Sequence, residues 1–197
     1  MRRVVWQSGW WRYAQRLPSP NFGPRPVGER VTLAVVHSIS LPPGRYGGDE
    51  VERFLTNRLD FAGHPYFEGL RGLKVSAHFF IRRDGGVLQL VSCDQRAWHA
   101  GASAWAGREG CNDYSIGIEL EGLEGEAFEA PQYAALARLL RSAARRYPLG
   151  AVVGHEHIAP GRKADPGSGF DWRALLYRLA GRPRLAAQVF VRHRGRS

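Results

Sequence analysis

The chain has 197 residues, of which 44% are hydrophobic, so it is long enough to form one domain with a buried core. No apolar run reaches the roughly 18 residues of a membrane helix, and no apolar stretch of about 7–15 residues marks a secretory signal. We therefore expect a cytoplasmic protein, and the formal net charge of +10 favours an anionic partner.

The chain divides into three segments of different composition. Residues 1–30 combine several tryptophans with a run of prolines, which predicts an extended wrap held against the domain by its aromatic rings. Residues 31–181 carry the regular elements, and residues 182–197 form a basic tail typical of a solvated chain end. The two cysteines, Cys93 and Cys111, lack Cys-x-x-Cys spacing and are predicted to be free thiols.

The first predicted strand spans residues 31–37. It is apolar at both odd and even positions, which indicates a central strand covered on both faces. It ends at His37, and ligand sites collect beyond the carboxyl ends of such strands, although a lone histidine there is more often a satisfied polar group. A helix is predicted over about 49–59, where Asp49 followed by Glu52 fits a capping box.

A β-hairpin and a long connection come next. Strands are predicted at 75–81 and 87–91, joined by an Asp-Gly turn at 83–86, and His78 within the first strand is predicted to be structural. Residues 94–112 form a connection long enough to be either functional or disordered. Its tryptophan, histidine and arginine residues argue against disorder and suit a sugar or a carboxylate-bearing ligand.

The alternation of residues 115–121 predicts a strand with apolar side chains on one face and Glu119 on the other. Two interpretations of Glu119 stay open, a catalytic carboxylate and an ordinary solvent-facing strand position. The remaining predicted elements are a helix over 131–147, a strand over 151–153, and a helix over 172–180 that Asp171 caps and Gly181 closes.

The segment 154–167 is predicted to be a loop because prolines and glycines interrupt it. It holds His155, His157 and Asp165, and such residues bind zinc when a fourth position stays open for water. If the strands before His37 and His155 are neighbours, three ligands converge, but the spacing does not choose between His155 and His157. The competing interpretation of this segment is a solvated basic turn.

These residue types together predict an amide hydrolase. Zinc polarises a carbonyl group and lowers the pKa of bound water towards neutrality. Glu119 is the carboxylate best placed to accept the proton of that water. Lys163, two residues before Asp165, can stabilise the negative charge that develops on the carbonyl oxygen.

Several segments, in order along the chain, resemble the zinc-dependent N-acetylmuramoyl-L-alanine amidases of the amidase-2 and peptidoglycan-recognition type. The resemblance is strongest to those members that act on 1,6-anhydro-muropeptides in the cytoplasm during cell-wall recycling. The segments are PSPNF (18–22), VHSISLPPG (36–44), HPYF (64–67), VSAH (75–78), RAWHAG (96–101), and the runs at 111–122 and 154–167.

The resemblance implies roles for individual residues. It assigns the proton of the water to Glu119 and stabilisation of the oxyanion to Lys163, and it selects His155 over His157 by analogy. The implied zinc ligands are His37, His155 and Asp165. The implied substrate-binding residues are Trp98, Arg108 and Asn112.

The implied fold is a single α/β domain, residues 31–181, with a mixed central β-sheet packed by helices and a zinc cleft at the sheet edge. The implied partner is a small anionic muropeptide, cut between the lactyl group of the muramic residue and L-alanine. We expect a monomer with no nucleic-acid and no membrane partner. Ser38 departs from the asparagine expected in the most similar relatives, which affects a substrate hydrogen bond rather than zinc binding.

Three rival functions stay open. A non-catalytic peptidoglycan-binding module of the same fold is disfavoured because all the implied ligands, Glu119 and Lys163 are present. A periplasmic amidase acting on intact peptidoglycan is disfavoured by the expected absence of a signal peptide. A nucleic-acid binder drawn by the net charge leaves the histidine and carboxylate residues unexplained.

Overall fold

The computed structural model describes residues 4–180, so the predicted tail at 182–197 and the predicted helix end at Gly181 lie outside the described residues. The strands are β1 (Trp6–Gln7), β2 (Trp10–Trp11), β3 (Gln15–Arg16), β4 (Phe22–Gly23), β5 (Leu33–Ile39), β6 (Phe79–Ile81), β7 (Val87–Gln89), β8 (Arg96–Ala97), β9 (Ala104–Trp105), β10 (Arg108–Glu109), β11 (Ser115–Glu121) and β12 (Ala151–Gly154). The helices are α1 (Glu50–Leu55), α2 (Ala130–Ala143), α3 (His155–Ile158) and α4 (Trp172–Leu179), with 3-10 turns at Phe61–Gly63, Pro65–Leu70 and Cys111–Asp113. Among these, no helix is both long enough and apolar enough to cross a lipid bilayer.

Six strands form one mixed sheet in the order β12-β5-β11-β6-β7-β3. The first four run parallel to one another, and β7 runs antiparallel to β6 through the predicted hairpin, whose turn places Gly85 at φ 85°. The predicted fold class, a mixed sheet packed by helices, is therefore confirmed. Because β12, β5 and β11 are parallel neighbours, their carboxyl ends lie together at one end of the sheet.

The two faces of the sheet are covered by different layers. Ile116, Ile118 and Leu120 point to the face where α2 and α4 pack, as their alternation predicts. Leu33 and Val35 point to the opposite face, where shorter segments cover them. His37 continues the Leu33 and Val35 side of β5, so its side chain lies on that second face.

Several predicted elements are shorter in the structure than in the sequence analysis: the strand predicted at 87–91 ends at Gln89, and the helix predicted over 131–147 ends at Ala143. The strand predicted at 75–81 begins only at Phe79, because Asn21 Nδ2 and the Trp98 carbonyl take the backbone hydrogen bonds of residues 75 and 76. The helix predicted over 49–59 ends at Leu55, and Asn57 then adopts φ 60°.

The predicted capping box at the start of this helix was wrong. The Asp49 side chain makes no capping bond and instead pairs with Arg53 at 2.8 Å. Glu52 points into the protein and pairs with Arg82 at 2.5 Å. Both carboxylates therefore have arginine partners in place of the helix amides.

The N-terminal segment packs through its aromatic rings. Trp6 stacks on Trp11 at 6.2 Å between ring centroids, and both indoles meet Phe79 edge-on. Both indole N–H groups donate to the hydroxyl of Ser142 on α2, at 2.9 and 3.0 Å. These contacts are structural, and the boundary at residue 30 between wrap and domain stays a prediction.

Arg25 fastens this segment to the rest of the protein. Its guanidinium donates to the carbonyls of Asp113 and Ser115, each at 2.8 Å. It also donates to the carbonyls of Cys93 and Asn112, at 3.1–3.2 Å. One charged side chain thus satisfies carbonyl groups from two loops and the start of β11.

We expect Arg25→Met to lower the free energy of unfolding by on the order of 3 kcal/mol, because several partly buried carbonyls lose a charged donor. Chemical denaturation followed by tryptophan fluorescence measures this change. Arg145→Gln, an exposed substitution, should change stability by less than about 0.5 kcal/mol. Equal effects of the two substitutions would contradict the anchoring role.

Candidate metal centre

Three adjacent parallel strands position the site. In the register of the sheet, Glu119 on β11 lies directly beside His37 on β5. Gly154, the last residue of β12, pairs with Val36, so His155 leaves its strand next to His37. Residues far apart in sequence therefore meet at the carboxyl end of the sheet, towards its β12 edge.

His37, His155 and Asp165 come together there, and their ligand-type atoms converge. The two Nδ1 atoms are 3.0 Å apart, and each lies 3.1 Å from Asp165 Oδ2. Three ligands of one tetrahedral zinc ion, each at about 2.0–2.1 Å, would be roughly 3.3 Å apart. The cluster is thus close to the size that a metal ion requires.

The hydrogen bond that His155 makes outside the cluster determines which of its ring nitrogens carries no proton. His155 Nε2 lies 3.1 Å from the carbonyl oxygen of Ala100, which only accepts hydrogen bonds. His155 Nε2 therefore carries the proton. In the neutral ring, Nδ1 then presents a lone pair to the cluster.

The same reasoning applies to His37 through a chain of three bonds. The Ser115 hydroxyl donates to the Cys111 carbonyl at 2.5 Å, so it accepts from His99 Nε2–H at 2.9 Å. Burial keeps the pKa of His99 well below its usual value, so its Nδ1 is bare and accepts from His37 Nε2–H at 2.9 Å. His37 Nδ1 also faces the cluster with a lone pair.

His37 Nδ1, His155 Nδ1 and Asp165 Oδ2 are thus three potential acceptor atoms that face one another. Burial lowers the pKa of His37 to about 4, which keeps its ring neutral near pH 7. Two imidazole nitrogens and a carboxylate oxygen suit a metal cation, and the residues present therefore fit a metal site.

Glu119 lies beside this cluster, because it pairs with His37 in the register of β11 and β5. Its Oε2 is buried and has no hydrogen-bond partner within residues 4–180. Burial and the negative charge of Asp165 raise the pKa of Glu119 well above its usual value, and the charge of Lys163 opposes this. The solvent-facing interpretation of Glu119 was therefore wrong.

Lys163 lies at the exposed side of the site. Its backbone N–H donates to the carbonyl of Ala159 at 3.0 Å, which continues the turn after α3. Its positive charge lowers the pKa of both His37 and Glu119, so it acts on the cluster from solvent.

The family model described as N-acetylmuramoyl-L-alanine amidase (Amidase_2) matches residues 27–168. The chain is 51% identical over 178 residues to the 1,6-anhydro-N-acetylmuramyl-L-alanine amidase AmpD of Citrobacter freundii, covering 88% of this chain and 95% of that relative. The chain belongs to the N-acetylmuramoyl-L-alanine amidase family. The resemblance seen in the sequence is thereby confirmed, and the chain is an amidase.

Two solved structures extend this comparison. This chain is similar to a crystal structure of a selenomethionine derivative of AmpD, with a TM-score of 0.87 and 47% identity. The similarity covers 89% of this chain and 99% of that one. The amidase AmiD from Escherichia coli, in complex with the substrate anhydro-N-acetylmuramic acid-L-Ala-D-γ-Glu-L-Lys, has a TM-score of 0.57 and 30% identity. That similarity covers 76% of this chain and 57% of that one.

The three residues predicted to bind substrate differ in their burial and in the contacts that they make. The backbone N–H of Trp98 donates to Ser76 Oγ at 2.9 Å, and its side chain is half-buried. Arg108 pairs with Glu29 and lies over the ring of Tyr114 at 3.9 Å from its centroid. The substrate-binding roles of Trp98 and Arg108 stay predictions.

Asn112 is buried rather than open to the cleft, at 8% exposure. Its Oδ1 accepts from the backbone N–H groups of His99 and Ala100, at 3.0 and 2.9 Å. These are the two residues that contact the predicted ligands. The side-chain oxygen of Asn112 therefore bonds to backbone amides of the protein itself.

The sequence analysis gave no individual role to His99 or Ser115, although both contact the site. Gly117 faces His99 in β11, and a Cβ atom there would collide with the imidazole ring. Only glycine at this strand position leaves the ring its space. A histidine in a long loop and a glycine in an otherwise regular strand were the available signals.

Two other predictions are confirmed. Cys93 and Cys111 are free and buried. His78 is structural, since its Nδ1 accepts from the Gly117 N–H at 3.0 Å. His157 lies apart from the cluster, where its Nδ1 accepts from the Gly154 N–H at 2.8 Å and its ring meets Trp172 at 5.6 Å.

Proposed function

We propose that this amidase hydrolyses the amide bond between the lactyl group of 1,6-anhydro-N-acetylmuramic acid and L-alanine in muropeptides, as a step of peptidoglycan recycling. The observation that carries the proposal is the convergence of His37 Nδ1, His155 Nδ1 and Asp165 Oδ2 beside Glu119. It is supported by the 51% identity to an amidase whose name specifies the 1,6-anhydro sugar. The cytoplasmic location and the monomeric state stay predictions.

The proposed metal is zinc, held by His37, His155 and Asp165. Two imidazoles and one carboxylate are a ligand set of catalytic zinc sites, which keep one position for water or substrate. When bound, zinc would act as a Lewis acid towards the amide carbonyl and would lower the pKa of a bound water towards neutrality.

The other proposed steps belong to side chains of the chain itself. Glu119, whose buried Oε2 has no protein partner, would take the proton from the attacking water and deliver it to the leaving amine of L-alanine. Lys163, exposed at the entrance, would stabilise the charge that develops on the carbonyl oxygen. A site with both groups provides the acid, the base and the cation that amide hydrolysis needs.

The substrate class follows from charge and from the relatives. A muropeptide carries several carboxylates, and the formal net charge of the chain is +10. The related AmiD structure contains an anhydro-N-acetylmuramyl peptide, which is the class of molecule proposed for this chain. Trp98 and Arg108 are proposed to contact the sugar and the peptide carboxylates.

We expect the purified protein to release a peptide with a free amino-terminal L-alanine from 1,6-anhydro-N-acetylmuramyl tripeptide, measured by mass spectrometry. Removing metal with a chelator should abolish turnover, and stoichiometric Zn²⁺ should restore it. Faster release from intact peptidoglycan would make the protein a wall hydrolase instead. Binding of muropeptide without release by the zinc-loaded protein would indicate a non-catalytic module.

A further inference from the structure

Two consecutive residues receive the outward N–H groups of both imidazole ligands. His37 Nε2–H donates to His99 Nδ1 at 2.9 Å, and His155 Nε2–H donates to the Ala100 carbonyl at 3.1 Å. The tautomer of each ligand therefore depends on the position of one short piece of backbone. A shift of this piece would move or release both rings together.

A single side chain holds that piece of backbone. Asn112 Oδ1 accepts from the N–H groups of both His99 and Ala100, at 3.0 and 2.9 Å, and the residue is only 8% exposed. Its own carbonyl accepts from the Arg25 guanidinium at 3.2 Å. Arg25 thus holds the backbone of Asn112, and the single side-chain oxygen of Asn112 aligns two consecutive backbone amides.

Two further contacts limit the movement of this segment. The His99 ring lies against Gly117 of β11, where no Cβ stands in its way. Arg162 donates to the carbonyls of Ala100 and Ala102, at 2.7 and 2.6 Å. The Ala100 carbonyl therefore accepts from the Arg162 guanidinium as well as from the His155 imidazole.

We propose that Asn112 is a positioning residue that, through the backbone of His99 and Ala100, fixes both imidazole ligands with Nδ1 towards the metal. This inference rests on the proposed metal-dependent function of the same site. It replaces the predicted role of Asn112 as a substrate contact. Partners behind metal-bound histidines commonly contribute about 10–100-fold to metal affinity.

The test compares Asn112→Leu, which removes the accepting oxygen, with Asn112→Asp, which keeps it. Zinc affinity is measured on the full chain by competition with a chromogenic chelator, in the absence of any muropeptide. We expect Asn112→Leu to weaken zinc binding by roughly 10–100-fold and Asn112→Asp to stay within about threefold of wild type. The KM for muropeptide of the zinc-saturated Leu variant should change by less than about threefold.

Gln132→Leu is the matched control for loss of a buried amide. Gln132 donates to the carbonyls of Ile81 and Glu121 beneath α2, on the other face of the sheet. This substitution should lower the thermal midpoint of the metal-free protein and leave zinc affinity unchanged. A purely structural role of Asn112 would give the same pattern as Gln132→Leu and would overturn the proposal.

A raised KM for Asn112→Leu with unchanged zinc affinity would also overturn it, in favour of a substrate contact. If Asn112→Leu does not fold, His99→Asn and His99→Leu test the same segment, since Asn keeps an acceptor near the position of Nδ1. Only the Leu variant should then lose zinc affinity, and equal affinities would refute the inference. Because zinc is measured without muropeptide, an incorrect substrate assignment would leave this result standing.

Discussion

His155→Ala should abolish stoichiometric zinc binding and lower amidase activity by roughly 10³-fold or more. His155 supplies one of three atoms that lie 3.0–3.1 Å from one another, and the remaining pair does not complete a catalytic site. A metal ion supplies several kcal/mol of transition-state stabilisation, and about 1.4 kcal/mol corresponds to a factor of ten. Metal analysis of the purified variant, together with turnover of 1,6-anhydro-muropeptide, measures both effects.

His157→Ala is the control, because it removes a second imidazole from the same short helix. We expect this variant to keep one zinc per chain, since His157 Nδ1 accepts from the Gly154 N–H instead of facing the cluster. Loss of that bond at the start of α3 should cost about 1 kcal/mol of stability. Zinc retained by His155→Ala and lost by His157→Ala would reverse the ligand assignment.

The elements that position the site could be predicted from local patterns. Strand β5 is apolar at both odd and even positions because helices and loops cover its two faces, and β11 alternates because Glu119 and Gly117 face the site. The last helix was predicted from Asp171, whose side chain accepts from the first amides of α4. These signals arise from each segment's own burial pattern and capping chemistry.

The proximity of His37, His155 and Glu119 could not be derived from local patterns. It depends on the order β12-β5-β11 and on a register that sets Glu119 beside His37. Strand order is a property of the whole sheet, so spacing alone left the choice between His155 and His157 open. The resemblance to a known family selected His155, and the structure places it in the cluster.

The hydrogen bonds of His37 Nε2 and His155 Nε2 also could not be derived from the sequence. Asn112 lies in a loop where polar residues are common, and its orientation is set by contacts with His99 and Ala100. Residue type and loop position are equally compatible with a substrate contact. Asp49 shows a different kind of error: the local sequence fits a capping box, but the Asp49 side chain forms an ion pair with Arg53 instead.

Glu119→Gln should lower kcat by roughly 10²–10⁴-fold while leaving one zinc bound per chain, because the amide keeps the shape of the side chain but cannot take a proton. Steady-state turnover of 1,6-anhydro-muropeptide and metal analysis give the two readouts. Glu68→Gln removes an exposed carboxylate that pairs with Arg71 and should leave both unchanged. A kcat within about tenfold of wild type in Glu119→Gln would exclude Glu119 as the proton carrier.

The same substitution should stabilise the metal-free protein at neutral pH. Burial and the charge of Asp165 raise the pKa of Glu119 in the folded chain, so above the unfolded pKa of about 4.3 the folded state binds more protons than the unfolded state. Folding stability then falls as the pH rises from the unfolded pKa of Glu119 to its folded pKa. Gln does not ionise, so the variant lacks this decrease in stability. Chemical denaturation of the metal-free proteins at pH 5 and pH 8 should therefore show a smaller decrease for Glu119→Gln than for wild type. Equal decreases would mean that Glu119 ionises in the folded protein as easily as in the unfolded chain.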